Sequence, residues 1–149
     1  MKSFTYIAAA IALFAGAAVT ACAPTPTYQQ PVPPIAQVSV SHVTGTASYR
    51  ERILMPAGST LVVKVLDVSR ADAPSETISE ATYTLDGSGP PYNFDLRVFM
   101  DRADPRHTYA VRAELRDPTG RLRFTTDQRH QVLTQGAPNT ADIVMVGVR

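Results

Sequence analysis

Cysteine is almost missing from this 149-residue chain: Cys22 is the only one. No intrachain disulfide can therefore form, which rules out the inter-sheet bridge of antibody-type domains and leaves any fold to its apolar core. Lysine is scarce too, with Lys2 and Lys64 alone among 14 basic residues set against 13 acidic ones. With a formal net charge of +1 and no basic stripe interleaved with aromatics, nucleic acid is not an expected partner. No apolar run after the N-terminal one nears the roughly 20 residues that a spanning helix needs. Signs of catalysis are equally thin. His42, His107 and His130 are far apart and show no metal-ligand spacing. There is no Gly-x-Ser-x-Gly elbow, and Gly87-Ser88-Gly89-Pro90 is followed by no Lys-Ser/Thr that would make it a phosphate cradle. Asp95, Asp101 and Asp104 do not fit a calcium-loop spacing and read as loop carboxylates. The expectation is a protein with no catalytic residues, no cofactor and no metal.

What is present begins at the N-terminus. Lys2 precedes an apolar or small-residue stretch from Tyr6 to Thr20 that ends in small residues, which is signal-peptide anatomy. The run Val19-Thr20-Ala21-Cys22 resembles the lipobox of bacterial lipoproteins, in which an aliphatic residue and two small ones precede the Cys that takes the lipid. Ala21-Cys22-Ala23 also fits the Ala-x-Ala exit of a soluble secreted protein. Pro24 would then follow the cut, however, and a lone thiol would be left in an oxidising compartment. Lipidation resolves both problems. Residues 1-21 are accordingly read as a lipoprotein signal peptide, with Cys22 carrying diacylglyceryl and an N-acyl chain such as palmitate. Ala23, rather than an acidic residue, favours sorting to the outer membrane, with the domain facing the periplasm.

Residues 22-37 comprise the lipidated Cys and a tether. Its run APTPTYQQPVPPIAQ contains five prolines and no charge, a composition that favours a semi-stiff polyproline spacer over a docking motif. From Val38 the pattern changes to period two. Tyr92-Asn93-Phe94-Asp95-Leu96-Arg97-Val98 alternates without a break, as do Tyr109 to Arg116 and Arg121 to Phe124, the mark of strands with one buried face. Turn residues at 55-58, 86-91, 117-120 and 136-139 separate these runs. Seven strands are expected, near 38-51, 60-68, 77-85, 92-98, 107-116, 121-126 and 140-148. Leu61-Val62-Val63-Lys64-Val65-Leu66 is apolar on both faces apart from Lys64, as suits a strand inside a sheet. The fold class expected for residues 38-149 is all-β, an antiparallel β-sandwich.

Two stretches resemble a known family. One runs from Gly45-Thr46-Ala47-Ser48-Tyr49-Arg50-Glu51-Arg52 to Asp67-Val68-Ser69-Arg70-Ala71-Asp72-Ala73-Pro74. The other runs from Asp104-Pro105-Arg106-His107-Thr108-Tyr109 through Gly120-Arg121-Leu122-Arg123-Phe124 to Val132-Leu133-Thr134. Both resemble the YbaY/YscW-type lipoproteins, over about residues 43-146. The resemblance implies a lipid-anchored periplasmic β-sandwich, and its YscW-like members are type III secretion pilotins, which bind a secretin subunit and help deliver it to the outer membrane. The motifs also carry ordinary turn chemistry, since Asp67, Ser69 and Asp72 are of the types that bond nearby backbone. The leading functional reading is a binding or envelope-assembly module, held to the membrane by the lipid on Cys22 and acting on a secretin or another envelope protein. The alternatives are a pilotin-like chaperone for a type III secretion secretin and a hydrolase of envelope polymers. The hydrolase would need a pocket that gathers His107 with carboxylates.

Overall fold

The computed structural model describes residues 38–149. The expected signal peptide, Cys22 and the expected proline-rich tether lie outside the described residues. Eight strands follow in chain order: β1 (Val40–Tyr49), β2 (Thr60–Asp67), β3 (Glu76–Thr84), β4 (Tyr92–Phe99), β5 (Tyr109–Arg116), β6 (Leu122–Thr125), β7 (His130–Val132) and β8 (Thr140–Gly147). The only helical element among the described residues is a single 3-10 turn, Met100–Arg102.

The alternation sets each strand's facing. On β4, Tyr92, Phe94, Leu96 and Val98 are buried while Asn93, Asp95, Arg97 and Phe99 are exposed. On β5, Tyr109, Val111, Ala113 and Leu115 turn inward. Leu61, Leu96, Leu115, Ile143 and Met145 are almost wholly buried at the centre, and each such side chain contributes about 1.5–3 kcal/mol. β2 lies between β3 and β5, in keeping with its two apolar faces.

The architecture corrects the expected sandwich. The strands run in the order β3-β2-β5-β6-β8-β1-β4, with β7 pairing β5 off this path, and they curl into a nearly closed seven-strand barrel. Nor is the pairing wholly antiparallel, because β1 and β8 run parallel from Thr44↔Thr140 to Tyr49↔Met145. One corner is joined by a short ladder, Phe124↔Gly147 and Thr125↔Val146, between β6 and β8. At the remaining seam, β3 and β4 are joined by side chains instead of a ladder. The Tyr83 hydroxyl donates to the Asp95 carbonyl at 2.7 Å and accepts from the Asp95 N–H at 2.9 Å. Ser79 Oγ donates to the Arg97 carbonyl at 2.7 Å. Alternating burial is the same in a sandwich and a barrel; what separates them is which edges meet, and that depends on contacts between residues far apart in the chain.

Gly45 is needed where β1 meets β8. A Cβ at this position would run into the Ala141 carbonyl and the Phe94 ring, so only glycine lets the two backbones come together there. At the other end of β1, Tyr49 stacks on Phe124 with ring centroids 4.3 Å apart, which ties β1 to the β6 corner of the barrel.

Candidate functional site

The two family-like stretches meet in space. Asp67 at the end of β2 pairs in register with Tyr109 at the start of β5, and one Asp67 oxygen lies 2.6 Å from His107 Nδ1. The other oxygen accepts the Ser69 N–H at 2.9 Å. Ser69 Oγ accepts the Thr108 N–H at 2.8 Å, Val68 N–H donates to the Thr108 carbonyl at 2.9 Å, and Thr134 Oγ1 donates to the His107 carbonyl at 2.6 Å. Partial burial pushes the Asp67 carboxyl up, but the bonds from Ser69 and His107, with the charge His107 can carry, outweigh it and hold the group below its ordinary range. Asp104, three residues before His107, is held well below the carboxylate range by the Arg106 guanidinium and backbone N–H.

A cleft of about 150 Å³ opens beside this knot, lined by Asp67, Arg70, Pro74, Glu76 and His107. It brings His107 to carboxylates, as a hydrolase would require, yet no hydroxyl or thiol lines it, and both Asp67 oxygens are already engaged in tying loops together. The knot is structural: it fastens the loop after β2 to the loop before β5. His42 lies elsewhere, 2.7 Å from Asp95 on the outer face of β1 and β4. His130 is in β7. Asp95 and Asp104 thus have separate partners, and no group of three potential metal ligands occurs among the described residues.

The surface best suited to a partner is on β8. Among the described residues, Thr140–Met145 has a ladder partner only in β1, because β6 pairs with β8 no earlier than Val146. Its outward side chains Val144 and Val146 are each 40% exposed, and Val148 just beyond the strand is 42% exposed. Position by position, they form an apolar stripe at period two. A cleft of about 180 Å³ opens at Val144 and Val146, lined also by Arg50, Glu51, Asp127 and Gln128. A strand edge with unmatched backbone groups beside an apolar stripe is what a partner segment docks on, by strand addition or by an amphipathic helix lying in the groove. Arg50 and Glu51 belong to the Tyr49-Arg50-Glu51-Arg52 run singled out in the sequence. The valines do not, although Ile143-Val144-Met145-Val146 is apolar on both faces, and that was the signal available for them.

Comparison with known proteins settles the relationship. A family model described as "Type III secretion system lipoprotein chaperone (YscW)" matches residues 29–145. The chain belongs to the YscW family. It is also 28% identical over 142 residues to the uncharacterized lipoprotein YbaY of Escherichia coli strain K12, an alignment covering 89% of this chain and 74% of the relative. Among solved structures it is similar to an alternative pilotin from the type II secretion system of Vibrio cholerae, with a TM-score of 0.71 and 32% identity over 74% of this chain and 99% of that one. As a YscW-family member, the protein is a lipoprotein with a role in the envelope and is not an enzyme. It is lipid-anchored at the outer membrane and faces the periplasm.

Proposed function

We propose that the protein is a pilotin-like chaperone that binds a secretin subunit and escorts it to the outer membrane. The observation that carries this reading is the likeness to the Vibrio cholerae pilotin, which spans 99% of that chain at a TM-score of 0.71. In this reading residues 1-21 are removed, Cys22 carries the lipid, residues 23-37 form the tether and residues 38-149 form the binding domain. More than one acyl chain on Cys22 gives stable anchoring, since each buried CH₂ adds about 0.8 kcal/mol.

The groove at Val144 and Val146 is the docking surface, and it takes a segment of the secretin subunit through its apolar side. Burying the exposed part of Val144 and Val146 contributes about 1 kcal/mol each. Val144→Asp with Val146→Asp should therefore weaken binding by about 30-fold or more. A photo-reactive residue placed at Val146 tests the reading in cells. It should cross-link to a secretin subunit, whereas the same group at Thr82 on β3 should not. Cross-links from both positions to the same proteins, or none to a secretin, would refute the assignment.

A further inference from the structure

The exposed apolar side chains sort into two groups at opposite ends of β1. Val144, Val146 and Val148 lie towards its C-terminal end, where Tyr49 pairs with Met145, and Ile53 and Leu54, 45% and 68% exposed, are on the loop that follows that end. Val38, Val40 and Phe99 lie at its N-terminal end, 50%, 44% and 46% exposed. Val40 and Phe99 are direct register partners, so their side chains stand together on the outer face, with Val38 two positions earlier. The Met100 N–H donates to the Ser39 carbonyl at 2.9 Å, which holds this entering segment against the end of β4. The next outward pair is His42 with Arg97. Arg102 is exposed just past the strand, as is Asp101, while Asp95, further along β4, is 2.7 Å from His42.

We propose that this end of the barrel rests on the phospholipid leaflet that holds the lipid anchor, with Val38, Val40 and Phe99 entering the headgroup–acyl boundary. Chain length is what selects a lipid surface as the occupant. Residues 23–37 separate Cys22 from Val38, and a proline-rich stretch of that length reaches roughly 45 Å at about 3.1 Å per residue. Three side chains are too few to bring a free protein to a membrane. A tether fixed in the same leaflet keeps them within reach at high effective concentration, so a weak contact becomes a populated one. Arg97 and Arg102 flank the apolar trio, where their stems can lie along the surface while their guanidinium groups meet headgroup phosphates. Contact at this end points the other end of β1 away from the membrane. The β8 groove is then held about 30 Å out, at roughly 3.3 Å per residue of β1, open to the periplasm.

The chain contains no tryptophan, so one introduced indole reports its own surroundings. Mature protein lipidated at Cys22 and carrying Phe99→Trp is reconstituted into vesicles of phosphatidylethanolamine and phosphatidylglycerol, with and without bromine on the acyl chains. Val40→Trp serves as a second reporter on the same patch, and Leu54→Trp, on the loop after β1, as the distal control. The result expected is blue-shifted emission and loss of intensity on brominated lipid for Phe99→Trp and Val40→Trp, with none for Leu54→Trp. Unquenched emission at both proximal positions, or equal quenching at all three, would overturn the proposal. The vesicles hold no secretin, so either outcome is independent of the pilotin reading.

Discussion

Tyr83→Phe tests whether side chains close the barrel between β3 and β4. One hydroxyl serves both backbone groups of Asp95, donating to the carbonyl and accepting from the N–H. A typical intramolecular hydrogen bond contributes about 0.5–1.5 kcal/mol net. Because the bonds are at the exposed seam and water can replace the lost hydroxyl, the low half of that range applies, and Tyr83→Phe should cost about 1–2 kcal/mol. The phenyl ring retains its packing, so the loss isolates the hydroxyl. Ser79→Ala removes the bond to the Arg97 carbonyl and should add roughly 0.5–1 kcal/mol. Urea melts give the magnitude, and amide hydrogen exchange gives the place: the Asp95 amide should exchange faster in Tyr83→Phe, while the β5 amides paired with β2 should not. Unchanged stability together with unchanged protection at Asp95 would show that the seam is closed by some other means.

Further outcomes follow from the core, the glycine contact and the carboxylates. Leu115, wholly buried, should lose about 2–5 kcal/mol on change to Ala, read by denaturant melts. Gly45→Ala forces β1 from β8 and should lower the thermal midpoint sharply or abolish folding. Asp67, Asp104 and Asp117 are all held below their ordinary range. Their stabilising contribution is therefore complete above the unfolded carboxylate value of about 3.9 and is lost as pH falls through the lower folded values. Stability measured against pH should hold down to about pH 4 and then decline, and the Asp67→Asn variant should be less stable at neutral pH with a shallower acid decline.

Much of the strand content was legible because alternation is a local signal: each of the seven expected strands has a counterpart within a few residues. β7 was not legible, since His130-Gln131-Val132 is too short to show a period. The barrel was hidden for a different reason. Its closure rests on β1 meeting β8, on Phe124 and Thr125 meeting Gly147 and Val146, and on one tyrosine hydroxyl reaching Asp95, none of which leaves a local pattern. The family-like motifs were visible as words, but that Asp67 and His107 grip one another across 40 residues appears only in the fold. The candidate groove was partly visible through Arg50 and Glu51. Its valines looked like core, because a run apolar on both faces does not reveal which face stays bare.

The most direct test of the pilotin reading is the membrane distribution of the secretin in cells lacking this protein. The secretin should be lost from the outer-membrane fraction. Wild-type protein should restore it, whereas Cys22→Ser and the Val144→Asp, Val146→Asp variant should not. Secretin that reaches the outer membrane in normal amounts without the protein would contradict the chaperone role.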